Sequence, residues 1–76
     1  MLLSKIPLLS ADEIIKILAH FGYKPIRQTG SHIHLLNNEN RRLVTVPNHK
    51  EIAVGTFLSI LKQANVERDD FLHYLQ

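Results

Sequence analysis

The chain reads as an α+β domain: a three-stranded antiparallel sheet with helices on one face, in the order α-β-β-β-α plus a short C-terminal helix. Three observations predict this. Ser10 and Glu13 form a capping-box signature ahead of Ile14, Ile17, Leu18 and Phe21, which recur at i, i+3, i+4 and i+7. Between Tyr23 and Val46, short β-prone runs alternate with clusters of turn-forming residues. Beyond Val54, the residues Phe57, Ile60, Leu61 and Ala64 make a second helical stripe.

The first helix starts at the Ser10 cap and stops at Gly22, a residue suited to the left-handed end of a helix. Tyr23 to Gln28 is a strand that tolerates Pro25 only near a sheet edge, because proline brings no N–H to a ladder. Thr29-Gly30 is a turn and Ser31 to Leu36 a second strand. Asn37-Asn38-Glu39-Asn40 supplies the turn into a third strand, Arg41 to Val46, and Pro47 closes the hairpin. The second helix spans Val54 to Ala64 and is broken by Asn65-Val66. Arg68 to Leu75 forms the last helix, with Phe71, Leu72 and Leu75 as its apolar face.

Size and composition narrow the function classes. With 76 residues the chain is expected to be one domain, 1–76, burying only roughly 60 % of the surface its unfolded form exposes. It has no cysteine, so it can neither form disulfides nor benefit from an oxidising compartment. No apolar run is long enough to span a bilayer, and MLLSKIPLLS lacks the charged start, apolar block and cleavage site of a signal peptide. A cytoplasmic location with no membrane contact is the expectation. The net charge of +2 is unevenly spread. From Lys24 to Lys50, five cations (Lys24, Arg27, Arg41, Arg42, Lys50) face one acid, Glu39, so that span carries +4 and the rest of the chain −2. A basic middle between acidic ends suits a polyanionic ligand, although so few charges also fit an ordinary solvated surface.

Strand alternation sorts the middle of the chain by face. Ile33 and Leu35 point one way and His32, His34 and Leu36 the other, while Val44 and Val46 oppose Leu43 and Thr45. The simplest assembly packs the helices on Ile26, Ile33, Leu35, Val44 and Val46. It leaves His32 and His34 on the open face with Arg27 and Arg41, outside the core.

Four pieces of the sequence, taken together, resemble the HicA family of bacterial toxins, the mRNA interferases. They are Phe21-Gly22-Tyr23, Arg27-Gln28-Thr29-Gly30-Ser31-His32, Val46-Pro47-Asn48-His49 and Gly55-Thr56-Phe57-Leu58-Ser59-Ile60-Leu61-Lys62-Gln63-Ala64. The likeness runs from about Leu8 to Leu75. It implies a fold similar to double-stranded-RNA-binding domains and an activity that depends on the histidine of the GSH motif, here His32. It also implies an mRNA substrate, a HicB-like antitoxin as partner, and a toxin that is monomeric when free. Two positions depart from the family pattern. Asn65 stands where a glycine often follows the second helix, and Glu67 where a serine usually caps the last one.

On that reading His32 is the catalytic residue, a general acid or base acting on an RNA that brings its own 2′-hydroxyl nucleophile, with no cofactor and no metal. The RNA-binding set is Lys24, Arg27, Gly30, Ser31, His34, Arg41, His49 and Lys62. Lys24, Arg27 and Lys62 are candidates for phosphate contacts. Gly30 permits a backbone conformation or a close approach and can leave amide groups facing a phosphate. His34 is an exposed-face residue that could stack on a base or touch phosphate. His49 is either the second proton carrier or an anchor for the loop into the second helix.

The same residues admit rival chemistries. Ser31 beside His32 suggests a serine nucleophile, but neighbouring strand residues face opposite ways. His32, His34 and His49 could in principle ligate zinc, without any carboxylate or thiolate in the motif. A binding module that holds RNA without cutting it is the main alternative, and a docking face without chemistry is another.

Overall fold

In the computed structural model, residues 8–75 are described. The reading of the first seven residues as no signal peptide lies outside them. The first helix, α1 (Ala11–Leu18), has both halves of its capping box. Ser10 Oγ accepts from the Glu13 N–H at 3.1 Å, and the Ser10 N–H donates to Glu13 Oε1 at 2.8 Å. A further N–H without a helical partner, that of Ala11, donates to the His49 carbonyl at 2.9 Å. The helix tightens into a 3-10 turn over Ala19–Phe21 and ends on Gly22 at φ +92°. A Cβ at Gly22 would lie 2.8 Å from Asn37 Nδ2, so both backbone and space require glycine.

Three antiparallel strands follow in the order β1 (Tyr23–Thr29), β2 (His32–Asn37), β3 (Leu43–Pro47). Gly30, at φ +59°, is the first of two residues joining β1 to β2, and Ser31 keeps a negative φ. That is the pattern of a type II′ hairpin turn, which twists with its strands. The second turn is organised by Asn37, a buried polar side chain. Its Nδ2 donates to the Phe21 carbonyl at 2.8 Å, and its Oδ1 accepts from the N–H groups of Glu39 and Asn40. One satisfied amide thus joins the end of the first helical segment to the β2–β3 turn. Arg41 takes φ +63° while its N–H donates to the Asn37 carbonyl. That left-handed residue cannot extend a strand, so β3 begins at Leu43 and not at Arg41 as the sequence suggested.

The helices α2 (Val54–Ala64) and α3 (Arg68–Leu72) complete the chain. The bounds of α2 match the sequence reading. It ends in a Schellman motif, with Asn65 at φ +56° and N–H bonds from Asn65 to Lys62 and from Val66 to Leu61. Asparagine at position 65 therefore takes the left-handed geometry that ends a helix. Glu67 makes no side-chain cap for α3, which is shorter than the predicted Arg68 to Leu75 and gives way to a turn after Leu72. Phe71 still anchors it, packed edge-on against Phe57 at 5.0 Å.

Ile14, Ile17 and Leu18 of α1 and Phe57, Ile60 and Leu61 of α2 pack with Leu35, Val44 and Val46 in one buried cluster. Tyr23 joins it, and its hydroxyl donates to the Ala64 carbonyl at 2.8 Å, linking β1 to the end of α2. Two core assignments differ from the sequence reading. Ile33 is only half-buried, and Ile26 is 50 % exposed and outside the cluster. The cause at Ile26 is a bulge, because the β1–β2 register passes from Pro25 opposite Leu35 to Arg27 opposite His34 with Ile26 left over.

Candidate functional site

Residues directly opposite each other in an antiparallel pair share a face, so the register defines the open side of the sheet. Across β1, β2 and β3 its rows are Thr29, His32 and Pro47; then Arg27, His34 and Thr45; then Lys24, Leu36 and Leu43. His32, His34, Arg27 and Lys24 thereby share one face, with Lys24 two rows from His32. Successive rows lie roughly 7 Å apart, the advance of two strand residues.

His32 is exposed and its imidazole makes no hydrogen bond among the described residues. His34 differs sharply from it. It is half-buried, with Nδ1 3.1 Å from Thr45 Oγ1 and Nε2 3.2 Å from Thr29 Oγ1. Both ring nitrogens therefore have hydroxyl partners on the two flanking strands. Neither threonine stood out in the sequence, since only the register shows that residues 29 and 45 flank position 34.

The cations divide into two sets. Lys24 and Arg27 lie on the open face and form no ion pair among the described residues, where the one ion pair is Arg68 with Asp69 at 3.9 Å. Their charge is available to an anionic ligand. Arg41 sits in the β2–β3 turn with Nη1 3.4 Å from Asn38 Oδ1, a correction to its placement on the third strand. Arg42 donates to the Gln63 carbonyl at 3.2 Å. Lys62 lies in the helical layer, where it lines a groove with Leu58, Asn65 and Arg68, and is not gathered with the histidines.

The glycine and serine before His32 shape the hairpin tip. No atom lies within 4 Å of a Cβ built on Gly30, so its positive φ, and not a close approach within the chain, is what calls for glycine. Ser31 is exposed in the turn and its carbonyl accepts from the Asn48 N–H at 2.6 Å. That bond docks the segment after β3 beside the start of β2. His49 follows immediately. Its main chain anchors the loop, through the Ala11 N–H and its own N–H to Pro47, while its imidazole is exposed and makes no hydrogen bond among the described residues. Among those residues no three His, Cys, Asp or Glu side chains converge as metal ligands would.

Compared with known families, residues 11–66 match the model of the HicA toxin of bacterial toxin-antitoxin systems. The matched span runs from the first residue of α1 past the Schellman turn and contains every candidate residue named above. No curated protein matches the chain.

Proposed function

The chain belongs to the HicA toxin family of bacterial toxin-antitoxin systems, and from that premise we propose that it is a metal-independent endoribonuclease that cuts messenger RNA at the open face of the sheet. The observation that carries the reading is His32, exposed on the face that also carries Arg27, one row away, and Lys24, two rows away. RNA supplies the nucleophile. The 2′-oxygen loses its proton and bonds to phosphorus, the bond from phosphorus to the 5′-oxygen breaks, and that oxygen takes up a proton. His32 moves one of these protons, and His49, two residues beyond the strand position opposite His32, is the candidate for the other. Arg27 and Lys24 hold the phosphates and offset the charge that develops on the phosphoryl oxygens.

Purified free of any partner, the protein should cut single-stranded RNA without ribosomes and in excess EDTA. Cleavage seen only after a divalent metal is added would defeat the metal-free mechanism. Tight binding of duplex RNA without any cutting would favour the non-catalytic RNA-binding module.

A toxin that destroys its host's messages must be made together with an inhibitor. The inhibitor proposed here is a HicB-like antitoxin that lays an acidic surface over Arg27, Lys24 and His32. Co-expression should yield a stable complex and restore growth. A solved complex that left His32 and Arg27 open to solvent would rule out direct occlusion.

A further inference from the structure

We infer that His34 is a positioning residue: its imidazole, bridged to Thr29 and Thr45, holds three strands in the arrangement that aims His32. The inference rests on the ribonuclease reading of the open face and assigns His34 a role other than touching RNA. Thr45 lies directly opposite His34 on β3, while Thr29 lies on β1 opposite His32. A single side chain therefore spans the sheet in the row next to the candidate catalytic histidine.

β1 is the strand that needs such a tie. It is an edge strand, and its register is interrupted by the bulge at Ile26. Beyond the bulge only Arg27, Gln28 and Thr29 remain paired before the chain turns at Gly30. Those three residues carry a phosphate-binding cation and the immediate neighbour of His32. Bonding the Thr29 hydroxyl to His34 Nε2 fixes this short segment against β2, and the Thr45 contact fixes β2 against β3.

The chemistry of the bridge separates its role from proton transfer. A threonine hydroxyl can donate or accept, so two of them satisfy a neutral imidazole in either tautomer and accept both N–H groups of a charged one. The bridge persists in either charge state. For His34 to exchange a proton with RNA, one of its two bonds would first have to break, whereas His32 has no such bond to lose.

Two variants and one spectrum test this. In the parent, long-range nitrogen–proton NMR of the imidazoles should show both His34 nitrogens coupled to slowly exchanging threonine hydroxyls. Spectra with unpartnered His34 nitrogens overturn the bridge, whatever the activity. His34→Ala should lower kcat by about 10- to 100-fold, the scale of a misplaced catalytic group, with KM nearly unchanged. His34→Gln offers one donor and one acceptor in place of the ring. It should recover most of kcat, with a pH profile that overlays the parent's. A His34→Ala enzyme with parental kcat overturns the inference. So does a rise in KM alone, which would make His34 an RNA contact, or the loss of one limb of the pH profile in His34→Gln, which would make it a proton carrier. A parent that cuts no RNA defeats the ribonuclease reading instead, and the spectra then decide the bridge independently.

Discussion

His32→Ala should abolish RNA cleavage and cell toxicity while leaving the protein nearly as stable as the parent. The side chain is exposed and bonded to nothing among the described residues, so its removal opens no cavity and orphans no partner. Surface substitutions of this kind change stability by about 0.5 kcal/mol or less. Loss of a positioned general acid or base, by contrast, lowers the rate by on the order of 10² to 10⁴. Thermal melts and gel-based cleavage on the same preparations separate the two effects. A variant that melts far below the parent would make His32 structural. One that stays folded and fully active would move the catalytic role to His34 or His49 or remove it from the face altogether.

The positions legible in the sequence are those where one local rule acts alone. Val54–Ala64 could be bounded because an apolar stripe of period 3.6 ends at a residue that accepts left-handed geometry. The capping box at Ser10 is likewise a contact between residues three apart. His32 could be assigned to the open face because Leu35, three residues on, had to be inside.

What escaped the sequence depends on the pairing of distant residues. Strict alternation along β1 would put Tyr23 and Arg27 on one face, yet Tyr23 is buried and Arg27 lies opposite His34 on the open side. Only the extra residue at the bulge reconciles them, and nothing in Pro25-Ile26-Arg27 fixes which residue is extra. The bridge through His34 was hidden for the same reason, since its partners come from both neighbouring strands. Lys62 illustrates a third limit. The stripe of α2 shows which side of the helix is buried but not which way its flank is turned relative to the sheet, and Lys62 lies in the groove beside α3.

Leu35→Ala should have the opposite signature to His32→Ala, a large loss of stability that lowers activity only through the fraction unfolded. Leu35 is completely buried on the central strand, between Pro25 and Val44 in register and within the cluster that both long helices cover. Truncation removes apolar contacts from the buried cluster, and a side chain in the middle of the sheet leaves a space that its neighbours cannot readily close. Comparable truncations cost roughly 2 to 5 kcal/mol. Small domains have total stabilities near the low end of about 5 to 15 kcal/mol, so much of the margin would disappear. Ile33, also on the core face but half-buried near the hairpin tip, is the internal comparison: Ile33→Ala should lose clearly less and stay folded. Urea unfolding followed by circular dichroism gives both values. Equal losses at the two positions would mean that Leu35 is not the centre of the core. A Leu35→Ala protein as stable as the parent would overturn the assignment of sheet faces, and with it the placement of His32 toward the RNA.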